Sequence, residues 1–165
     1  MRLARRGSIF PTKILLATDG SAEAALAEEA AVELATGMGC ELHVVYVVRM
    51  TFDLPYLRSA TKECSEALLD WRRLRGLKLL DDRVRRIEDL GGSVAASHYR
   101  DGNPEKEIIA LGEELGAGLI VTGGRRRPWF ERIFGAGFSE RLFWRADRPV
   151  LVVGGRGLHN STVPR

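Results

Sequence analysis

The feature that most constrains the fold is a set of short, almost unbroken runs of isoleucine, leucine and valine, separated by longer amphipathic segments. Strands buried on both faces have this composition, and parallel sheets covered by helices contain such strands. One further run, Ser93–Tyr99, is more mixed and is expected nearer an edge of the sheet. The other predicted strands are Lys13–Thr18, Glu41–Val48, Leu119–Gly123 and Val150–Val153.

Helical patterns fill the four gaps between these strands. Ser21 is expected to cap a helix that runs to about Thr36 and stops at Gly37. Asn103-Pro104-Glu105 predicts another helix start, because it offers a capping side chain, a proline at the first helical position and an acid near the positive end. The two remaining helices are predicted from about Ser59 to Leu90, with a break or bend at Gly76, and from Ser139 to about Ala146.

Strand and helix alternate along the whole pattern, which predicts an α/β fold. We expect a single doubly wound five-stranded parallel sheet with helices on both faces and the strand order 3-2-1-4-5. The 165 residues, 45% of them apolar, suffice for one domain with a sizeable core. Residues 1–154 are assigned to this domain, and residues 155–165 to a flexible C-terminal tail.

Composition excludes several classes of protein. The formal charge of +3 is too small to imply a nucleic-acid partner, so none is expected. Two cysteines, Cys40 and Cys64, do not make a disulfide scaffold and indicate reduced thiols. With neither a signal peptide nor an apolar run long enough to span a membrane, we expect a cytoplasmic location and no membrane partner.

The first candidate site is the loop Thr18-Asp19-Gly20-Ser21, directly after the first strand. Ligands of open α/β sheets bind beyond the carboxyl ends of strands, where the strand order reverses. The Asp19 carboxylate can accept hydrogen bonds from an amine or hydroxyl of a ligand there. The alternative, equally open at this stage, is that Asp19 and Ser21 only cap the helix that follows.

The second candidate site follows the fourth strand and runs from Gly123 to Ser139. Glycines let a backbone approach a ligand closely, and amides at a helix start attract anions. Gly123 and Gly124, then three arginines, then Gly137-Phe138-Ser139 at a helix start, suit a ligand that carries phosphate. The alternative is a solvated basic loop with a glycine hinge.

Sharper catalytic motifs are absent. The sequence has neither a G-x-x-x-x-G-K-[ST] phosphate loop nor G-x-G-x-x-G after the first strand, and Ser139 is not in a G-x-S-x-G elbow. Cys40 and His43 are three residues apart, which places them on opposite faces of a strand and argues against a metal pair. We therefore expect a protein without catalytic residues or a bound metal, with weak ATP hydrolysis as the one activity left open.

Four ordered segments nevertheless resemble the universal stress protein family. They are KILLATDGS, ELHVVYVV, GNPEKEIIALGEELGAGLIVTGG and FSERLFWRADRPVLVV, and together they span about Pro11 to Gly154. The resemblance implies that Asp19 contacts an adenine base and that Val47 lines the base pocket. It also implies a homodimer through the last strand, because family members commonly dimerise there.

The resemblance includes a phosphate signature that this chain keeps only in part. Nucleotide-binding members carry Gly, two residues, Gly, nine residues, then Gly and Ser or Thr; here these positions hold Gly123, Arg126, Ala136 and Gly137. The base half of the site is thus retained and the phosphate half altered. The predicted nucleotide-binding residues are Thr18, Asp19, Val47, Gly123, Gly124, Arg125, Arg126, Ala136, Gly137, Phe138 and Ser139.

Two functional hypotheses follow from this mixture. In the first, the chain is a regulatory or protective stress-response protein of the non-nucleotide-binding kind. It has an adenine-nucleotide-like pocket with a degraded phosphate signature and acts through dimerisation and partner proteins. In the second, it binds ATP, ADP or AMP and uses arginine contacts to phosphate in place of the missing glycines, since a guanidinium group pairs well with phosphate.

Overall fold

The computed structural model describes residues 11–49, 62–124 and 137–154, and within these ranges five strands alternate with four helices. The strands are β1 (Lys13–Ala17), β2 (Glu41–Arg49), β3 (Val94–Gly102), β4 (Leu119–Gly123) and β5 (Val150–Val153). The helices are α1 (Ala22–Met38), α2 (Lys62–Asp89), α3 (Pro104–Leu115) and α4 (Phe138–Arg145).

The five strands form one parallel sheet in the order β3-β2-β1-β4-β5, which confirms the predicted fold class and strand order. The central strand β1 pairs with β2 on one side and with β4 on the other; Leu16, for example, lies opposite Val44 and Val121. The chain leaves β1 toward β2 and later returns beside β1 as β4. The strand order therefore reverses between β1 and β4, where open α/β sheets bind ligands.

The core lies on both faces of this sheet. Ile14 and Leu16 of β1 pack into a cluster with α1 and α2, whereas Leu15 and Ala17 pack into a second cluster with α3 and α4. Successive strand residues point to opposite faces, so both faces of β1 are covered. This double burial is the reason that β1 reads as an unbroken apolar run.

Several predicted boundaries differ from the structure, among them those in α1, α2 and β3. Helix α1 runs through Gly37 to Met38. It is capped by Gly39, which takes the left-handed conformation with φ of 64° and donates its N–H to the Ala35 carbonyl. Helix α2 continues unbroken through Gly76, where a Cβ atom would lie only 2.5 Å from the ring of Tyr99. Strand β3 continues past Tyr99 to Gly102. The glycine of α2 therefore serves close packing rather than a break.

The predicted C-terminal tail, residues 155–165, lies outside the described residues and stays a prediction. In the part of the chain that the structure describes, no helix is both long and apolar enough to cross a membrane.

Two histidines on neighbouring strands form a partly buried polar contact that the sequence analysis did not predict. His43 Nδ1 of β2 lies 3.3 Å from His98 Nε2 of β3, and the two rings stack. Burial lowers the pKa of His98, the charges of His43 and Arg100 lower it further, and Glu114 raises it in part. The folded chain therefore holds the proton of His98 less well than the unfolded chain does.

This contact predicts a pH dependence of stability. As the pH falls through about 6.5, the unfolded chain protonates His98 before the folded chain does, so the free energy of unfolding should fall. Replacing His98→Gln should flatten this part of the profile. Urea unfolding of both proteins between about pH 7.5 and 5.5 measures the effect, and parallel profiles would show that His98 does not contribute.

Candidate functional site

A cavity of about 660 Å³ opens at the carboxyl ends of β1, β2 and β4, at the point where the strand order reverses. Its volume lies within the range of about 300–1,000 Å³ that is usual for small-molecule sites. The residues that line it are Ala17, Thr18, Asp19, Ser21, Ala24, Val45, Val47, Arg49, Pro104, Ile108, Thr122, Gly123, Gly137, Phe138, Ser139 and Glu140.

The cavity brings together most of the residues that the sequence analysis selected. Gly124 is described but is not part of the lining, and Arg125, Arg126 and Ala136 lie outside the described residues. Binding of a ligand by any of these residues stays a prediction. The selected residues that line the cavity are Thr18, Asp19, Val47, Gly123, Gly137, Phe138 and Ser139.

The loop after β1 both caps a helix and faces the cavity. The Ser21 hydroxyl accepts the N–H of Ala24 at 3.2 Å and so caps α1. Asp19 Oδ1 accepts the N–H of Ser21 at 2.9 Å, which holds the exposed carboxylate at the mouth of the cavity. The two interpretations of this loop are therefore compatible: Asp19 orders the turn and also presents a carboxylate to the cavity.

Gly123, at the end of β4, is required by packing. A Cβ atom there would lie 2.6 Å from the backbone carbonyl of Glu23 and 2.7 Å from the amide nitrogen of Ala24. The end of β4 can therefore touch the first turn of α1 only if residue 123 has no side chain. Gly124 is similar, since its Cβ would lie 2.6 Å from Val152. Both glycines thus serve contacts within the fold.

Helix α4 brings Phe138 and Ser139 to the cavity and is tied to the fold by polar contacts. The Ser139 hydroxyl donates to the Gly123 carbonyl at 2.9 Å. Glu140 accepts the N–H of Gly137 at 3.0 Å, which caps the start of the helix. Ser139 was predicted as the first helical residue, but α4 begins at Phe138 and the hydroxyl reaches back to β4.

An ion pair between a buried carboxylate and a partly exposed arginine links α4 to the neighbouring helix. Glu105, in the first turn of α3, is only 3% exposed, and its Oε1 lies 2.7 Å from Arg141. A carboxylate in this position needs such a partner because burial of an unpaired charge is costly. The pair links the two helices that flank the cavity.

Sequence analysis did not select several of the residues that line the cavity. The most important of these is Arg49, because it adds a positive charge to the lining. Arg49 follows Val47 by two residues, and alternation along β2 places Val45, Val47 and Arg49 on the same face. That periodicity was the available signal. Among the lining residues that carry charge, Arg49 is basic whereas Asp19 and Glu140 are acidic, so the described wall is not strongly basic.

Within the ranges 11–49, 62–124 and 137–154, no group of three or more His, Cys, Asp or Glu side chains is arranged to hold a metal ion. The described lining combines an apolar wall with one carboxylate loop and one helix start. It can hold an organic ligand by apolar contact and by a few directed hydrogen bonds.

Comparison with known proteins identifies the family. The sequence profile of the universal stress protein family matches residues 11–154. Universal stress protein MJ0531 of Methanocaldococcus jannaschii is 28% identical over 151 residues, which cover 92% of this chain and 86% of the relative. Universal stress protein YxiE of Bacillus subtilis is 29% identical over 145 residues, covering 86% of this chain and 97% of the relative.

Solved structures agree with this assignment. A protein of the universal stress protein family from Burkholderia pseudomallei is 32% identical and superposes with a TM-score of 0.63, over 89% of this chain and 98% of the other. A universal stress protein in complex with cAMP has the same fold, with a TM-score of 0.66, 19% identity and coverage of 87% and 97%. The chain belongs to the universal stress protein family.

The Gly123 contact leads to a prediction about stability. Gly123→Ala should lower the free energy of unfolding by about 1–3 kcal/mol, because the new methyl group meets helix backbone that cannot move aside. Gly37→Ala is the matched control: it lies within α1 with nothing near its Cβ position, so it should raise stability by about 0.5–1 kcal/mol. Urea unfolding measures both changes, and equal effects at the two sites would contradict this account.

Proposed function

We propose that this chain is a regulatory or protective universal stress protein whose cavity binds an adenine nucleoside or AMP and holds the triphosphate of ATP weakly. The observation that carries the proposal is the cavity itself. At the strand-order reversal it joins an apolar wall with Val47 to the Asp19 carboxylate and to the start of α4. The cAMP complex of a protein with the same fold supports a nucleotide ligand.

The base side supports an adenine-type ligand. Val45, Val47, Ile108 and Phe138 provide apolar surface on which a flat ring can lie. Asp19 is the neighbouring acceptor, and an exocyclic amine is the donor that suits it. The chemistry required for the base is therefore available from residues that the structure describes.

The phosphate side supports weak binding of a long phosphate chain. The hydroxyl proton of Ser139 already goes to the Gly123 carbonyl, so Ser139 does not replace the hydroxyl missing at Gly137 as a donor. The N–H of Gly137 already donates to Glu140, a carboxylate at the helix start where a phosphate would otherwise be favoured. Internal contacts thus occupy both donors, and Glu140 adds negative charge nearby.

The alternative function, an ATP- or AMP-binding protein that uses arginine contacts, is favoured by one observation. Arg49 lines the cavity, and Arg125 and Arg126 follow Gly124 directly in the sequence. Comparison of ATP with adenosine separates the two proposals. Tighter binding of ATP than adenosine, lost in an Arg125→Ala, Arg126→Ala double variant, would establish the arginine alternative.

Calorimetric titration of the purified protein with adenosine, AMP and ATP tests the proposal, and we expect ATP to bind no more tightly than AMP. Asp19→Asn keeps an oxygen that can accept the Ser21 N–H but removes the charge. It should weaken adenosine binding about tenfold, the loss expected for a charge-assisted hydrogen bond. Asp81→Asn, on the outer surface of α2, is the matched control and should change nothing. Absence of heat with all three ligands at millimolar concentration would contradict the proposal.

We also propose a homodimer that forms through β5. This strand is an edge of the sheet, and its successive residues Leu151 and Val152 are 37% and 39% exposed although they point to opposite faces. Neighbouring α4 exposes Phe143 and 80% of Trp144. An exposed apolar edge invites pairing with another strand, and a second copy of the chain would cover it.

Light scattering coupled to gel filtration tests the dimer. The native chain should run at twice its monomer mass of 18.3 kDa at tens of micromolar. Leu151→Lys should shift it to the monomer, because a charge would be buried at the interface. Leu74→Lys is the control, since Leu74 is exposed on α2. A native monomer, or an equal effect of both variants, would argue against β5 as the interface.

A further inference from the structure

Glu28 carries a buried carboxylate, which is unusual for a glutamate on a helix that covers a sheet. It lies on α1 with its side chain fully buried, on the same helix as the buried alanines Ala24, Ala27 and Ala31. An isolated carboxylate would not remain charged there, so it requires partners that repay its lost hydration. The sequence analysis did not select Glu28, because a glutamate in an alanine-rich helix usually faces solvent.

The two oxygens of Glu28 have partners in two different parts of the fold. Oε1 accepts the hydroxyl proton of Thr18 at 2.9 Å, and Oε2 accepts Nε of Arg86 at 3.1 Å. Arg86 also donates through Nη2 to Glu29 at 2.9 Å. Glu28 therefore links the loop after β1, where Thr18 lines the cavity, with α2, where Arg86 lies.

The bond to Glu28 determines how Thr18 holds the loop. A hydroxyl has one proton to donate, and here that proton goes to Glu28. The lone pairs of Thr18 are then turned toward the loop, and the N–H of Gly20 donates to Thr18 Oγ1 at 3.3 Å. One residue further on, Ser21 donates to Asp19. The conformation that presents Asp19 thus depends on a chain of hydrogen bonds that begins at Glu28.

Helix α2 contacts the same loop a second time. Gly20 has a φ of 76°, and the position of its missing Cβ lies 3.0 Å from Leu79 Cδ1. The loop is thus seated against an apolar side chain of α2 and is also tied to α2 through Glu28 and Arg86. A change in the position of α2 should therefore shift the loop that carries Asp19, through the Leu79 contact and through the Glu28–Arg86 pair.

We propose that Glu28 is the positioning residue of this cavity: its buried carboxylate orients Thr18 and the Asp19 loop and couples that loop to α2 through Arg86. The effect on the loop follows from the contacts alone. The effect on ligand affinity rests on the proposed nucleotide function, since it requires a ligand that Asp19 contacts.

The charges around Glu28 should make its contacts with Thr18 and Arg86 sensitive to pH. Burial raises the pKa of Glu28, while the Thr18 hydroxyl and the guanidinium groups of Arg83 and Arg86 lower it in part. Two arginines of α2 thus face the carboxylate, with Glu29 of α1 sharing Arg86. Protonation of Glu28 would remove the negative charge that attracts Arg86. It would also turn one of the two acceptor oxygens of Glu28 into a hydroxyl group. Acidification should therefore loosen both α2 and the loop.

Amide hydrogen exchange, followed by NMR on the full chain, tests the proposal without any ligand. Thr18→Val and Glu28→Gln should each speed exchange of the Gly20 and Ser21 amides about tenfold, while amides of the core strands β1 and β4 keep their rates. Glu29→Gln is the matched control, because it removes the charge of the other partner of Arg86 without changing the contact to Thr18. Thr18→Ser keeps the hydroxyl and should behave as the native chain does.

The outcomes are distinguishable. If Glu28→Gln fails to fold, Thr18→Val decides the question. Unchanged exchange at Gly20 and Ser21 in Thr18→Val, or an equal increase in Glu29→Gln, would overturn the positioning role. Adenosine titration adds a second readout: because burial raises the pKa of Glu28, the native affinity should fall on acidification, and that of Glu28→Gln should not. Absence of adenosine binding would remove the proposed function but leave the exchange result standing, whereas equal pH profiles would overturn the coupling to affinity.

Discussion

The contact between the end of β4 and the first turn of α1 sets the geometry on which the candidate site depends. Gly123 allows the two backbones to approach to a distance that no side chain permits. Because β4 returns beside β1 at this point, the contact closes one side of the cavity and places Gly123 near the loop that carries Asp19. A glycine that sequence analysis interprets as a phosphate contact is thus first a requirement of helix and sheet packing.

The sequence predicted the architecture and strand order of the fold better than it predicted the contacts of the site. Apolar runs such as that of β1 report burial on both faces, and burial on both faces of five alternating strands leaves few architectures. Local boundaries were less predictable: Gly37 and Gly39 both suit a helix end, and only the backbone shows that Gly39 takes the left-handed conformation. Gly76 similarly suits a helix break until Tyr99 is seen beside it.

The site was harder to predict because its polar groups act through partners that are distant in sequence. Glu28 and Glu105 look like solvent-facing helix residues, yet each is buried and paired with an arginine of another helix, Arg86 and Arg141 respectively. Helical periodicity shows which face a residue occupies but not which charge lies opposite that face. Ser139 is a similar case, because its hydroxyl donates to the carbonyl of Gly123, 16 residues earlier, which periodicity does not predict.

These internal pairings bear on the difference between the two halves of the cavity. On the proposed base side, Asp19 lines the cavity from a loop that Thr18, Glu28 and α2 contact, so binding of a base there should need little reorganisation. On the phosphate side, Ser139 and Gly137 already donate to Gly123 and Glu140. An incoming phosphate would have to break those bonds and approach a carboxylate, and the contacts it gained would be offset by the contacts it displaced. Under the proposed function, the degraded signature and the capped helix therefore act in the same direction, and the cavity should select for the base rather than for the length of the phosphate chain.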